Sequence, residues 1–451
     1  MQIIIVGCGK VGKYLVRELA AENHNVTIVD IDGETVRDTA LQYDVMGVEG
    51  NGTSYKTLEE ADIAHADILI AATESDEVNL LCCFIAKKAK CRTIARVRNP
   101  IYSEESEKFR QELGISMIIN PERAGAIEML QLLQFPSAIE ISSFAKGGIE
   151  MLAFRVKEDS ILTGKKIKDI TELQQYQLLI CVAERGEEVI IPNGDFVIEA
   201  GDVLSFIAIP GQASRVFRDL GIYTNSVKNA MIVGCSQTGY YLAEMLLKAG
   251  IKVKIVEIDK KRCEEVAINL PKADVIYGDG TSQKLMEEEH LEKMDACIAS
   301  TNIDEENIIF SLYARNKVRK KVITKISHLE FNNVIQSLKL DGIVNPKEAA
   351  AETILMYVRA MSNSSGSNVQ TLYKLKDDRV EALEFIVCGD SKLVGIELRN
   401  MNFKKNVLIA GIVREGKLII PGGGDYFMPG DSVVIATTNK GFLRLEDILE
   451  R

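Results

Sequence analysis

The sequence contains no tryptophan, only four histidines, and no apolar stretch long enough to cross a membrane. A bilayer span needs roughly 18 to 20 consecutive apolar residues, and the apolar runs here are the length of strands. Met1 leads directly into the strand-like segment Gln2–Val6, without the layout of a signal peptide. The sequence therefore predicts a cytoplasmic protein that does not insert into the membrane.

An excess of positive charge is also missing. The chain carries 54 lysines and arginines against 65 acidic residues, which gives a formal net charge of −11. The basic residues are scattered among acidic ones, whereas binding to a phosphate backbone requires clustered cations. Nucleic acid is therefore not an expected partner.

The nine cysteines include no C-x-x-C pair. Cys8, Cys181, Cys297 and Cys388 lie inside apolar, strand-like runs. Disulfide frameworks and zinc sites show paired spacings, and small thiols are common in protein cores. We expect buried thiols and no metal site.

The length of 451 residues exceeds what one hydrophobic core supports, so several domains are expected. The two halves of the chain repeat each other. Gly7 corresponds to Gly234 at an offset of 227 residues, and Ile191 corresponds to Ile420 at an offset of 229. Solenoid repeats have roughly 20 to 50 residues. A period this long indicates a duplicated pair of domains.

The first part of each copy alternates apolar, β-branched runs with amphipathic stretches, as in a parallel sheet covered by helices. The second part is rich in strand-like runs and in turn sequences such as Gly201-Asp202. The predicted strands of the first part are Gln2–Val6, Asn25–Val29, Asp67–Ala71 and Arg92–Val97. The predicted fold class is α/β, with two tandem Rossmann-like, doubly wound parallel-sheet domains, each followed by a small α+β domain.

The predicted domain boundaries are 1–134, 135–221, 228–361 and 369–451. Polar residues at 221–228 and 362–368 are typical of linkers between such domains.

A glycine-rich loop opens the first copy, between a strand-like run and a predicted helix over residues 11–21. A G-x-G-x-x-G sequence here lets backbone N–H groups approach a pyrophosphate at the helix N-terminus. Asp30 ends the next strand, where a carboxylate can accept hydrogen bonds from both ribose hydroxyls. No basic residue directly follows Asp30, which disfavours NADP. The loop residues expected at an adenine nucleotide are Gly7, Cys8, Gly9, Lys10, Val11 and Gly12. The alternative is a nucleotide-free fold that keeps the glycines for packing.

Other candidates follow later strands, at the edge of the sheet where ligands bind in this architecture. Arg96 could bridge phosphate oxygens, or it could be a solvated charge, the more expected role for Arg98. Asn79 is expected to support its own helix rather than contact ligand. The candidate residues at this edge are Asn51, Thr53, Ala72, Thr73 and Arg96.

The second copy keeps this framework and changes part of its chemistry. Ser236 replaces the central loop glycine, and its Cβ would crowd a pyrophosphate. Glu257 stands in the place of Asp30, and Lys325 in that of Arg96. Nucleotide binding in this copy therefore stays open, with a mononucleotide better tolerated than a dinucleotide. The candidate residues are Gly234, Ser236, Gln237, Thr238, Gly239, Glu257, Asp279, Thr301 and Lys325.

Residues suited to catalysis are not apparent in the sequence. The histidines do not sit where a dehydrogenase places its acid or base, and no G-x-S-x-G, H-E-x-x-H or Walker-lysine motif is present. The carboxylate pairs Asp76-Glu77 and Asp304-Glu305 open predicted helices, where the helix dipole accounts for them. A non-catalytic ligand sensor is the leading hypothesis. The alternatives are a NAD-dependent oxidoreductase and a scaffold with vestigial nucleotide loops.

As a set, the motifs resemble the RCK, or KTN, domain family of potassium transport proteins. The β-rich parts resemble the RCK C-terminal domain, and two copies of both domains are similar to the regulatory subunits of bacterial Trk-type potassium uptake. The motifs that carry the resemblance are Gly7-x-Gly-x-x-Gly12 with Asp30, Gly50-Asn-Gly-Thr53, Ala72-Thr73-x-x-Asp-Glu-x-Asn79, Ala95-Arg96-Val97 and Asn120-Pro121-Glu122.

The resemblance implies a cytoplasmic homotetramer, held at the inner face of the membrane by its partner, a membrane potassium transporter of the Trk type. It implies NAD(H) and ATP or ADP as ligands, bound without turnover. The chain departs from the family pattern at Ser236. It also has Asn51 where many relatives carry aspartate, a residue that Asp279 supplies in the second copy.

Overall fold

The computed structural model describes the chain except for short gaps at residues 101, 103–104, 135–137, 145–148, 172–177, 187, 209–226, 328–334, 336–337, 339, 363–368, 376–378, 443 and 451. Most of both predicted linkers therefore lies outside the described residues. The chain forms two compact bodies. The first comprises Met1–Leu130, Asn229–Val318 and Val322–Tyr357, and the second comprises Gln131–Lys228, Arg319–Lys321 and Val358–Arg451.

The first body contains two parallel sheets, one from each copy. In the first copy the elements are β1 Gln2–Val6, α1 Lys10–Ala21, β2 Asn25–Asp30, α2 Gly33–Tyr43, β3 Met46–Glu49, α3 Tyr55–Glu60, β4 Ile68–Ala71, α4 Asp76–Ala86, β5 Arg92–Arg96, α5 Ser106–Leu113, β6 Met117–Ile119 and α6 Pro121–Gln134. The strand order is β3-β2-β1-β4-β5-β6. The order reverses between β1 and β4, which is where doubly wound sheets bind their ligands.

The β-rich part of the first copy contributes β7 Ala138–Phe144, β8 Ile149–Arg155, β9 Leu179–Arg185, β10 Glu188–Ile190 and β11 Val203–Ala208. These strands form one sheet in the order β10-β9-β11-β8-β7, with antiparallel neighbours. This sheet lies in the second body.

The second copy repeats both sheets. Its parallel sheet is built from β12 Asn229–Val233, α7 Gln237–Lys248, β13 Lys252–Glu257, α8 Lys260–Asn269, β14 Asp274–Tyr277, α9 Gln283–Glu288, β15 Ala296–Ala299, α10 Asp304–Ala314, β16 Lys321–Lys325, β17 Ile343–Val344 and α11 Pro346–Ser362. Its antiparallel sheet is built from β18 Val369–Leu375, β19 Val380–Ile386, β20 Val407–Arg414, β21 Lys417–Ile419 and β22 Ser432–Thr437. The strand orders are β14-β13-β12-β15-β16-β17 and β18-β19-β22-β20-β21. The predicted fold class is thus confirmed.

The central strands of the parallel sheets are apolar on both faces because helices cover both sides. Ile3, Ile4 and Ile5 of β1 are each at most 2% exposed. The four strands predicted in this sheet are confirmed within one residue at each end. Eight of the nine cysteines are buried and Cys388 is half-buried, as expected for core thiols.

The glycine loops depend on close contact between backbones. Gly7 has a φ of +99°, and a Cβ at this position would lie 2.8 Å from the backbone nitrogen of Thr73. Gly234 has a φ of +82°, and its Cβ would lie 2.6 Å from the nitrogen of Thr301. Only glycine fits here, since a side chain would collide with the end of the neighbouring strand. A Cβ at Gly9, in contrast, would meet nothing within 4 Å.

In the second body the two antiparallel sheets share an apolar cluster. It joins Ile149, Met151 and Ile207 of the first copy to residues of the second copy that include Val380 and Val434, all at most 3% exposed. Apolar side chains from both copies are removed from water together, which stabilises the pairing of the two sheets.

Two Gly-Asp turns of this body, Gly201-Asp202 and Gly430-Asp431, are each fixed by an arginine. Arg185 donates from Nε and Nη2 to the two carboxylate oxygens of Asp202, at 2.9 and 2.8 Å. Arg414 binds Asp431 in the same way at the same distances. Both aspartates are 1% exposed. The turn sequences were predicted from the chain, and the paired arginines explain why an aspartate occupies them.

We predict that Asp202→Ala lowers the free energy of unfolding by about 2 to 3 kcal/mol. The substitution removes a buried carboxylate that accepts hydrogen bonds from Arg185 and from the backbone nitrogen of Glu199, and hydrogen bonds to charged groups contribute about 1.5 to 3 kcal/mol. Urea denaturation of the full-length chain measures the effect. Asp195→Ala is the control, since Asp195 is 66% exposed where it pairs with Lys166 and Lys168. Equal losses for both variants would contradict the prediction.

Candidate functional site

The glycine loop of the first copy and the carboxylate of Asp30 form one unit. Oδ2 of Asp30 accepts a hydrogen bond from the backbone nitrogen of Cys8 at 2.6 Å, and Oδ1 accepts one from the nitrogen of Asp32 at 3.0 Å. The carboxylate is therefore oriented by the loop, at the end of β2. Gly9 precedes α1 and no side chain caps the helix, so the N–H groups of its first turn are available to an anion.

The loop after β3 reaches the same edge of the sheet. The backbone nitrogen of Gly50 donates to the carbonyl of Asp30 at 2.8 Å. Oδ1 of Asn51 accepts hydrogen bonds from the nitrogen and the hydroxyl of Thr53, both at 2.9 Å. Asn51 thus closes its own turn, and the amide nitrogen of its side chain remains as a donor at the exposed surface.

Asn79 links the loop after β4 to the end of β5. Its Oδ1 accepts from the backbone nitrogen of Thr73 at 2.8 Å, and its Nδ2 donates to the carbonyl of Arg96 at 2.9 Å. Asn79 therefore holds two candidate residues in register, which is a wider role than the support of its own helix that the sequence indicates. Asn307 makes the equivalent contacts to Thr301 and Lys325.

Arg96 is buried, with 7% of its surface exposed. Its Nη1 donates to the carbonyl of Thr73 at 3.0 Å, and its Nε has no hydrogen-bond partner. Burial, followed by the nearby charge of Arg98, lowers the pKa of Arg96. A buried guanidinium with an unused donor favours binding of an anion. The alternative of a solvated charge does not fit this burial.

The second copy holds its acidic residue in the same manner. Oε2 of Glu257 accepts from the backbone nitrogen of Cys235 at 2.6 Å, and Oε1 accepts from that of Asp259 at 2.9 Å. The longer glutamate side chain therefore reproduces the contacts of Asp30. The local frame for a ribose is the same in both copies.

Ser236 takes a different role from the glycine that it replaces. Its hydroxyl caps α7 weakly through the nitrogen of Gly239 and lies 2.9 Å from the hydroxyl of Ser300. Nζ of Lys325 donates to Ser236 Oγ at 3.1 Å and approaches Oδ1 of Asn302 at 3.4 Å. A buried ammonium thus stands beside the loop of the second copy.

A cavity of about 600 Å³ opens at this edge of the second sheet. Its walls bring together the predicted residues Gly234, Ser236, Gln237, Glu257, Asp279 and Thr301. Thr238 and Gly239 are instead buried within α7 and its packing against the sheet.

Arg262 is a cavity residue that the sequence reasoning missed. Its Nε donates to the carbonyl of Cys235 at 3.1 Å, and its guanidinium lies over the ring of Tyr240. It stands five positions after Glu257, in the first turn of α8. A basic residue in the helix turn after the candidate acid Glu257 is the signal that could have found it.

Family models match both copies. The TrkA-N domain matches residues 3–121 and 230–346, and the TrkA-C domain matches residues 151–221 and 383–450. Full-length relatives agree with this result. The Trk system potassium uptake protein TrkA homolog 2 of Methanosarcina mazei is 32% identical, with 100% of both chains covered. The chain belongs to the TrkA family.

The Trk system potassium uptake protein TrkA of Halomonas elongata is 31% identical to this TrkA-family chain, over 98% of this chain and 97% of that protein. Among solved structures, the GsuK channel bound to NAD matches with a TM-score of 0.61 and 16% identity, covering 97% of this chain and 77% of that chain. The GsuK RCK domain matches with a TM-score of 0.60 and 17% identity, over 97% of this chain and 92% of that chain. At these identities the two structures show a shared fold.

We predict that Lys325 makes the stability of the protein depend on pH. Burial lowers the pKa of Lys325 to about 8, and the charges of Asp304 and Glu122 offset only part of this effect. In the unfolded chain Lys325 keeps its proton up to about pH 10.5. In the folded chain it loses the proton as the pH rises above 8, which removes the free-energy cost of burying a charged ammonium and raises the free energy of unfolding. Relative to a Lys325→Met variant, the free energy of unfolding of the wild type should rise by roughly 2 kcal/mol between pH 7 and pH 10.

Urea denaturation at several pH values measures this difference. Lys284→Met is the control, because Lys284 is 87% exposed and its substitution should produce no such trend. A difference between wild type and Lys325→Met that stays constant over this pH range would contradict the prediction.

Proposed function

We propose that this TrkA-family chain is a nucleotide-sensing regulatory subunit that gates a membrane potassium transporter of the Trk type. It binds NAD(H), and ATP or ADP, without turnover. One observation carries the proposal. Each copy places an oriented carboxylate, a helix N-terminus and a buried cation together at the switch point of a parallel sheet, and the helix N-terminus of the first copy has no side-chain cap. A ribose and its phosphates need these three groups.

The choice of ligands and partner draws on the relatives. Full-length relatives are named as Trk system potassium uptake proteins, and the GsuK channel, which shares the fold, was solved bound to NAD. No helix among the described residues has the length and apolar character of a membrane span. In the proposed function, ligand binding acts on potassium flux through a separate membrane protein.

A NAD-dependent oxidoreductase is the rival function. Its acid or base would have to reach the nicotinamide, and the three described histidines are placed elsewhere. His65 is 77% exposed beside Asp62, and His290 is 55% exposed beside Glu292. His24 lies 3.4 Å from the terminal amine of Met1. None of the three lines the cavity of the second copy.

We predict that Asp30→Ala weakens binding of NADH and ADP to the first copy by about 1.5 to 3 kcal/mol. Two charge-assisted ribose hydrogen bonds are lost. Isothermal titration calorimetry measures the change. Asp32→Ala is the matched control, because Asp32 only caps α2, where it accepts from Glu34 and Thr35.

Potassium flux then tests gating. The transporter is reconstituted with the wild-type chain, and flux is measured while ATP, ADP, NAD and NADH are exchanged at saturating concentration. Potassium flux is expected to differ between nucleotides. The nucleotide concentration that gives half of the change in flux should rise with Asp30→Ala but not with Asp32→Ala. If all four nucleotides bind and potassium flux stays constant, the gating proposal is contradicted. Consumption of NADH would favour the oxidoreductase.

We also propose that the chain assembles as a homotetramer. Leu81 on α4 and Ile309 on α10 occupy equivalent positions in the two copies and are 47% and 70% exposed. Large apolar side chains on matching helices of both copies favour contacts between chains, and closed symmetry limits growth.

Light scattering should give a mass of about 200 kDa, four times the 49.9 kDa of one chain. Ile309→Glu should lower this mass, since it places a charge in the proposed contact. Ile268→Glu is the control, at an apolar side chain on α8 that is 78% exposed. A monomer at micromolar concentration would rule out the tetramer.

A further inference from the structure

Within the first body, helices of one copy pack beside the phosphate-loop helix of the other. Tyr14 of α1 donates through its hydroxyl to Oε1 of Glu352 on α11 at 2.7 Å. Asn120, just before α6, lies 3.3 Å from the hydroxyl of Tyr241 on α7. A Cβ at Gly125 of α6 would lie 2.9 Å from Pro346, the first residue of α11. The N-terminal ends of α6 and α11 therefore meet between the two nucleotide sites.

The two equivalent helix ends carry opposite charges. The sequence Asn120-Pro121-Glu122 precedes and opens α6, and Asn345-Pro346-Lys347 precedes and opens α11. Glu122 and Lys347 therefore occupy the same place in the two copies. Because each end faces the other copy, the reversal gives the two sites different surroundings.

Charges of the first copy act on Lys347 of the second copy. Its Nζ donates to the carbonyl of Ser327 at 3.3 Å. Lys10 and Arg96 are close enough that their charges add to partial burial in lowering the pKa of Lys347, while Asp304 and Glu122 oppose this. Lys10 opens α1 and Arg96 ends β5, which are the two elements that border the phosphate position of the first copy. The charge of Lys347 is therefore within electrostatic range of two cations that border this position.

The buried side chain of Arg96 provides an independent sign of a ligand. Arg96 is 7% exposed, and its Nε has no hydrogen-bond partner. A buried donor left unpaired is costly, and like charges within electrostatic range repel one another. A phosphate with several negative oxygens would relieve both conditions.

We propose that Lys347, supplied by the second copy, contacts the terminal phosphate of a nucleotide bound in the first copy. It makes this site select ADP and ATP over AMP and adenosine. The inference rests on the proposed nucleotide binding and names a specificity-determining residue for it.

The opposite helix end gives the second copy no such cation. A cavity of about 480 Å³ between the copies is lined by Glu74, Asp76, Glu77 and Glu122, with Arg98 as a basic residue and Gln237 contributed by the second copy. Gln237 stands where the first copy has Lys10. The charge of Glu122 also acts on Lys325. A terminal phosphate is therefore less favoured at the second site.

Calorimetry on the full-length chain tests the inference, with Glu257→Ala present so that the first site dominates binding. Adenosine, AMP, ADP and ATP are the probes, and the readout is the ratio of ATP affinity to AMP affinity. Lys347→Gln is expected to reduce this ratio about tenfold, the value of one charge-assisted hydrogen bond. Lys347→Glu should reduce it further, Lys347→Arg should preserve it, and AMP affinity should stay within about twofold.

Lys284→Gln is the control for net charge, on an exposed lysine of the same copy. The reciprocal variant, Glu122→Lys with Asp30→Ala, should raise the ATP preference of the second site. Thermal unfolding without ligand confirms that each variant folds. An unchanged ratio in both Lys347→Gln and Lys347→Glu would overturn the inference and leave the proposed function standing. If wild type binds none of the four probes, both fail.

Discussion

The contact between the backbones of Gly7 and Thr73 fixes the relation of α1 to the edge of the first sheet, and Gly234 and Thr301 do the same in the second. No Cβ fits in either contact. Because the loop is pinned there, its next amide can reach the acidic residue at the end of the neighbouring strand, whether that residue is Asp30 or Glu257. The orientation of the carboxylate in both copies follows from this one approach.

The same contact explains how the second copy lost a glycine without losing its fold. The first and last glycines of each loop are packed, whereas the central one faces open space, since a Cβ at Gly9 would meet nothing within 4 Å. The fold of the second copy therefore accommodates Ser236. Ser236 instead links the loop to Lys325 and Ser300. The central position can therefore differ between the copies without disturbing the packed glycines on either side.

Much of the fold was predictable, because alternating apolar runs and packed glycines are local patterns in the chain. The domain order, the central strands and the loop with Asp30 follow from such patterns. The burial of Arg96 could not be predicted from the sequence, since an arginine at the end of a strand is equally compatible with a solvated surface charge. Arg262 and Asn307 were missed for a related reason. Each acts on a backbone group that only the folded chain brings near.

The opposite charges of Glu122 and Lys347 have a consequence for how such a chain can diverge. In a symmetric dimer of separate identical chains, every substitution appears on both sides of the axis, so a glutamate at this position would face its own copy. Joining the two copies in one polypeptide removes that constraint, and each side of the junction accumulates changes alone. The covalent link therefore lets two copies of one fold acquire different charges around the same edge of the sheet within one molecule.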